Sequence, residues 1–188
     1  MDTTPGKIQY NLSVFIHRSS QQQNFDFRTS TLNYILKNPK SPEIWKKLVH
    51  TCKWFFDKNS IVVLPCLHYD FYSSHEVCMI CSDENCNYRC DRLNNLSNVP
   101  FKLWITQKLD IEGNKEYTNF AERLYPFIFK CDATTITLCN KVLSFKEFLF
   151  LTHDANDVSI ATLINDENGK TVPFEKIVEN LPKLKIIY

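Results

Sequence analysis

The chain has 188 residues with 22 basic and 21 acidic side chains, and a net charge of +1 gives nucleic acid or an anionic membrane no electrostatic hold on it. At 44% hydrophobic it is too apolar to stay disordered, and it is long enough for one substantial core or two small ones. The first twenty residues lack the continuous apolar stretch of a signal peptide and no later run approaches the roughly 18 residues of a membrane span, so a cytoplasmic or nuclear protein is expected.

Residues 1–28 are polar and irregular, with Ser19, Ser20 and the run Gln21 to Gln23, and predict a flexible N-terminal arm. Residues 29–58 change character. Leu32, Ile35 and Leu36 stand at helical spacing in a short segment that Pro39 must end, because proline supplies no N–H and disfavours helix in the residue before it. Ser41 then predicts an N-cap, with Pro42 at the first helical position and Glu43 in the first turn, where a carboxylate meets the positive end of the helix. Ile44, Trp45, Leu48, Val49, Cys52, Phe55 and Phe56 carry an apolar stripe through one amphipathic helix, with Glu43, Lys46, Lys47, His50, Lys53 and Asp57 on its other side. Trp54 falls off that stripe and either anchors a partner protein or folds back over a neighbouring element.

Residues 59–100 open with "SIVVLPCL", a β-branched strand that Pro65 places at a sheet edge or brings to an end. From about His68 to Asn98 the chain is crowded with Asn, Ser and Asp and predicts a long loop or irregular hairpin. It holds "CMICSDENCNYRC", in which Cys78, Cys81, Cys86 and Cys90 follow the spacing C-x2-C-x4-C-x3-C. Two readings stand: a structural zinc held by these four thiolates, with the loop as an interaction surface, or free thiols on a polar loop. In a reducing compartment the even number of cysteines is no evidence for disulfides.

Residues 101–188 alternate strand-like and helix-like pieces, which predicts an α/β fold with mainly parallel strands joined by helices. The apolar pairs Leu109/Ile111, Ile136/Leu138, Val158/Ile160 and Leu184/Ile186 recur at steps of 27, 22 and 26 residues, within the range of leucine-rich-repeat units. The helical pieces "SFKEFL" and "PFEKIV" repeat as well. Such a unit buries its apolar face only by stacking on the next.

Nothing in the chain announces catalysis or a bound cofactor beyond the zinc alternative. Gly6, Gly113 and Gly169 are the only glycines and lie far apart, whereas phosphate-cradling loops need glycines at close spacing. No cysteine–histidine pairing sits in a recognisable catalytic motif, so a non-enzymatic protein is expected.

The order of parts resembles a known family. "LNYILKNPKSPEIWKKLVHTCKWFF" is similar to an F-box: a short apolar helix, a break at "NPKSP", and a helix closing on Leu48, Cys52, Lys53 and Phe55. With a degenerate leucine-rich-repeat-like region behind it, the chain resembles the divergent F-box-like families of nematodes. The resemblance implies that the helices dock on the small adaptor of a cullin-RING ubiquitin ligase through Leu32, Ile35, Leu36, Pro42, Leu48, Cys52 and Trp54, and that the region behind them captures a substrate protein. "FDFRTS" stands where the family usually opens with Leu-Pro.

Overall fold

The computed structural model describes residues 24–72, 75–81, 90–93, 99–113 and 124–188, which belong to two compact units, Met1–Asn59 and Ser60–Tyr188. In the first, helix α1 spans Thr29–Lys37, α2 Pro42–Thr51 and α3 Lys53–Lys58. The break before Pro39 falls where expected. The backbone and side-chain N–H groups of Asn38 both donate to the Tyr34 carbonyl at 3.0 Å and close α1. Ser41 caps α2, its Oγ accepting from the Ile44 N–H at 3.3 Å, with Pro42 in the first turn.

The single long helix expected from Ile44 to Phe56 is two helices, because Cys52 is extended at φ −146° and ψ 107°. Thr51 precedes the break, and its hydroxyl donates back to the carbonyls of Lys47 and Leu48 at 2.8 and 3.1 Å. A threonine bonded back in this way competes with the backbone for helical acceptors and bends the chain. The apolar stripe nevertheless resumes beyond the break. Trp45, Val49, Phe55 and Phe56 are buried with Leu32, and Asn59 Nδ2 donates to the Leu36 carbonyl at 2.7 Å, tying the end of α3 to α1.

The second unit is a mixed α/β fold around one sheet. Its strands are β1 Ile61–Tyr72, β2 His75–Cys81, β3 Cys90–Leu93, β4 Lys102–Gly113, β5 Ile128–Cys131, β6 Thr135–Ser144, β7 Asp157–Asn165 and β8 Ile186–Ile187. They lie in the order β3-β2-β1-β4-β6-β7-β8, with β5 against β4. Strands β1, β4, β5, β6, β7 and β8 pair in parallel, and β1, β2 and β3 form an antiparallel meander. Helix α4, Phe145–Thr152, connects β6 to β7, and α5, Phe174–Glu179, connects β7 to β8. A reciprocal capping box opens α4: the Glu147 N–H donates to Ser144 Oγ, and the Ser144 N–H to Glu147 Oε2.

The repeat spacing read from the sequence is the ladder itself. Leu109 pairs with Ile136 and Ile136 with Val158, while Ile111 pairs with Leu138 and Leu138 with Ile160. The rows extend to β1, where Leu67 and Tyr69 pair with Leu109 and Ile111. Leu67, Leu109, Ile136 and Val158 are all at most 1% exposed, and burial of each such side chain contributes about 1.5–3 kcal/mol. The last unit departs from the expected register, because Ile187 and not Leu184 pairs with Val158.

Two further expectations for 59–100 are revised. Strand β1 runs through Pro65 to Tyr72 and lies between β2 and β4. Pro65 is tolerated because its ladder is irregular there: the β1–β4 register shifts between Leu64 and Cys66, pairing with β2 begins only at Cys66, and the Thr106 hydroxyl satisfies the Leu64 carbonyl at 3.1 Å. For the cysteine-rich stretch the long-loop alternative gives way to the hairpin one, since the antiparallel β2 and β3 are built from it; residues 82–89 and 94–98 lie outside the described residues.

Candidate functional site

The residues expected to meet a ligase adaptor divide by burial. Leu32 belongs to the helical core at 9% exposure, while Ile35, Leu36, Pro42, Leu48, Cys52 and Trp54 are half-buried. Trp54 does not stand alone: it packs edge-on against Phe25 and Phe55 at centroid distances of 5.0 and 5.3 Å, with Lys58 Nζ 6.0 Å from its ring. Phe25 belongs to the stretch expected as a flexible arm, of which residues 1–23 lie outside the described residues. Among the described residues of this unit the exposed large apolar side chains are Phe27, Tyr34 and Ile44, the last at 61%. Sequence reasoning placed Ile44 in the buried stripe. Helix α2 carries two adjacent i,i+4 pairs, Ile44/Leu48 and Trp45/Val49, about 100° apart, and the larger Trp45 takes the core position.

Of the cysteines proposed as zinc ligands, Cys78 and Cys81 stand on β2 and Cys90 opens β3, opposite Cys81 in the ladder; Cys86 lies outside the described residues. Positions 78 and 81 are three residues apart on an extended strand, about 10 Å, and do not form the tight turn by which a C-x2-C pair supplies two ligands. No group of three or more metal-ligating side chains occurs among the described residues. Cys52, Cys131 and Cys139 carry free thiols. Burial pushes that of Cys131 up to about 12, so it is chemically inert at neutral pH.

The sheet brings together residues that sequence reasoning did not connect. Because side chains alternate along a strand, the register that buries Leu67, Leu109, Ile136 and Val158 puts the intervening positions on the opposite face. There His68, Asp110, Thr137 and Ser159 form one row across β1, β4, β6 and β7. Lys108, Thr135 and Asp157 form the row before it, and Asp70 pairs with Glu112 in the row after it, with Cys139 opposite Ala161 on the neighbouring strands. Val142 pairs with Leu163 beyond these, and both are exposed, at 40% and 57%.

Charge on this face is compensated unevenly. Asp110 Oδ2 is 2.8 Å from His68 Nδ1 and 2.8 Å from Lys108 Nζ. Burial would raise its pKa, but hydrogen bonds from His68 and Lys108 hold the carboxyl below the usual carboxylate range. Asp70 behaves in the opposite way: burial, then the neighbouring charge of Glu112, pushes its carboxyl up. The Cys139 thiol is raised as well, by burial and then by Glu112 and Asp110. Among the described residues neither Asp70 nor Glu112 makes an ion pair.

A second cluster lies where the chain enters β6, β7 and β8. "DATTITL" from Asp132 and "DANDVSI" from Asp154 are the same motif 22 residues apart, and the pairing of Thr135 with Asp157 makes Asp132 and Asp154 equivalent positions. Ala133 and Ala155 of the motif are buried. Asp132 accepts from Trp104 Nε1 at 2.7 Å and pairs with Lys130 at 2.9 Å, while Asp154 pairs with Lys183. The Lys183 ammonium holds the Asp154 carboxyl below its ordinary range. Asp132, Asp154 and Lys183, with Thr134 and Asn156, line an open cavity of about 640 Å³. Each carboxylate already has its own ammonium, so the cluster fastens successive units to one another. The repeated Asp-Ala was the available signal for it.

No helix among the described residues is long and apolar enough to cross a membrane. Comparison of the chain with family models, curated proteins and solved structures finds no match.

Proposed function

We propose that the chain is a non-enzymatic protein-interaction module of the cytoplasm or nucleus, in which the open sheet face of the second unit captures a partner protein. The observation that supports this most is the row His68, Asp110, Thr137 and Ser159, held in register by four strands whose other face buries Leu67, Leu109, Ile136 and Val158. A rigid ladder that displays polar side chains beside exposed Val142 and Leu163 suits recognition, where a fixed pattern of hydrogen-bonding groups and apolar area confers specificity.

The helical unit extends the proposal through its resemblance to an F-box: it docks on the small adaptor of a cullin-RING ubiquitin ligase, which makes the open face a substrate-recruiting surface. The half-exposed edge of α2 made by Ile44 and Leu48 is the part of that helix available to an adaptor. The test is a pull-down of the full chain with the purified adaptor. Binding is expected, weakened roughly tenfold by Ile44→Asp and by Leu48→Ala, as for apolar anchors in other interfaces. No binding by the parent chain, or equal binding by both variants, removes the ligase reading.

A further inference from the structure

The open face changes character across the sheet, and the change constrains what can lie on it. At one end the like-charged Asp70 and Glu112 are direct partners in the β1–β4 ladder, an arrangement that is unfavourable by itself. The nearby His68 imidazole and Lys108 ammonium are engaged by Asp110. At the other end, on β6 and β7, the same face carries Ala161, Val142 and Leu163, all exposed. Ile111 pairs with Leu138, which puts Glu112 beside Cys139, the partner of Ala161, so the acidic and apolar ends adjoin.

We propose that this part of the sheet face binds a segment of a partner protein in which lysine or arginine alternates with apolar side chains, the cationic groups neutralising Asp70 and Glu112 and the apolar ones covering Val142 and Leu163. The proposal rests on the open face being the interaction surface and names the chemistry of its occupant. Charge complementarity makes the choice. An acidic segment would add like charge to Asp70 and Glu112, which make no ion pair among the described residues, and a purely apolar one would desolvate them without compensation. A basic amphipathic segment satisfies both ends at once, and its affinity falls as salt screens the charge.

The experiment uses the full chain and three short fluorescent peptides that alternate leucine with lysine, with glutamate or with serine, measured by anisotropy. The lysine peptide is expected to bind. Binding should weaken by about tenfold in the Asp70→Asn/Glu112→Gln double variant and again in Leu163→Ser, because each removes one of the two complementary features. These substitutions lie on the exposed face; an unchanged circular dichroism spectrum confirms folding. Binding of the serine or glutamate peptide as tight as that of the lysine peptide, with the same dependence on Leu163, overturns the basic partner and leaves the interaction face standing. If none of the three peptides binds, both readings are overturned.

Discussion

Leu109→Ala is the substitution that most directly tests how the sheet is built. Leu109 is fully buried in the row between Leu67 and Ile136, so truncation removes three carbons that no solvent reaches. At about 0.8 kcal/mol for each methylene-sized group the transfer loss is about 2.4 kcal/mol. Partners fixed on two neighbouring strands cannot close the cavity, which brings the expected cost to about 3–4 kcal/mol. Against a typical domain stability of about 5–15 kcal/mol that is a large fraction. The comparison is Leu163→Ala on the open face, at 57% exposure, where the cost should stay below about 1 kcal/mol. Hydrogen exchange of the β6 and β7 amides in mild urea reports on this unit without interference from the helical one. Equal losses for the two variants, or a larger one for Leu163→Ala, would refute the assignment of faces, since a one-residue slip exchanges the core for the solvent side.

Two more outcomes follow from the polar groups. The folded pKa of Asp110 lies below its unfolded value of about 3.9, so its ion pairs stabilise the fold above that pH and are lost as pH falls from about 4 through the depressed folded value. Lys108→Met should therefore cost something at neutral pH, less than about 1 kcal/mol because Lys108 is partly exposed, and the deficit in urea midpoint should vanish in acid; a deficit that does not change with pH contradicts this account. Asp132→Ala leaves the indole N–H of the fully buried Trp104 without its acceptor, a loss of about 1–3 kcal/mol, whereas Asp132→Asn keeps an acceptor and should recover much of the urea midpoint; identical midpoints would assign the effect to Lys130 instead.

The parts legible in the sequence were those where local pattern and tertiary role agree. Ser41-Pro42, the stop before Pro39 and the apolar pairs from Leu109 to Ile160 act through nearest neighbours or a strict alternation, and the structure places them as expected. Register failed at the C-terminal strand. Ile186 and Ile187 are consecutive, so alternation alone does not say which faces inward; the turn after α5, where the Leu184 N–H bonds the Leu181 carbonyl, holds Leu184 outside the ladder and shifts the pairing to Ile187. The contribution of β1 was hidden for another reason. The β2–β3 insertion makes the step from Leu67 to Leu109 42 residues, outside any repeat period, and only the parallel pairing of β1 with β4 reveals it. Neither face of a candidate site built across strands of that separation has a local signature.

The distribution of charge on the open face follows its depth. Asp110, at 14% exposure, is kept ionised by its hydrogen bonds with His68 and Lys108, which offset the cost of taking a carboxylate out of water. Glu112, two residues further along β4, is exposed, and water screens its repulsion of Asp70 to about 0.2–1 kcal/mol, a penalty the buried rows outweigh. Among the described residues compensation is thus concentrated on Asp110, and Glu112 is exposed beside Cys139, the partner of Ala161, where another molecule reaches it. A cationic group that settles there gains more than the bare ion pair, because it also relieves a repulsion within the fold, and by mass action its binding stabilises the sheet unit.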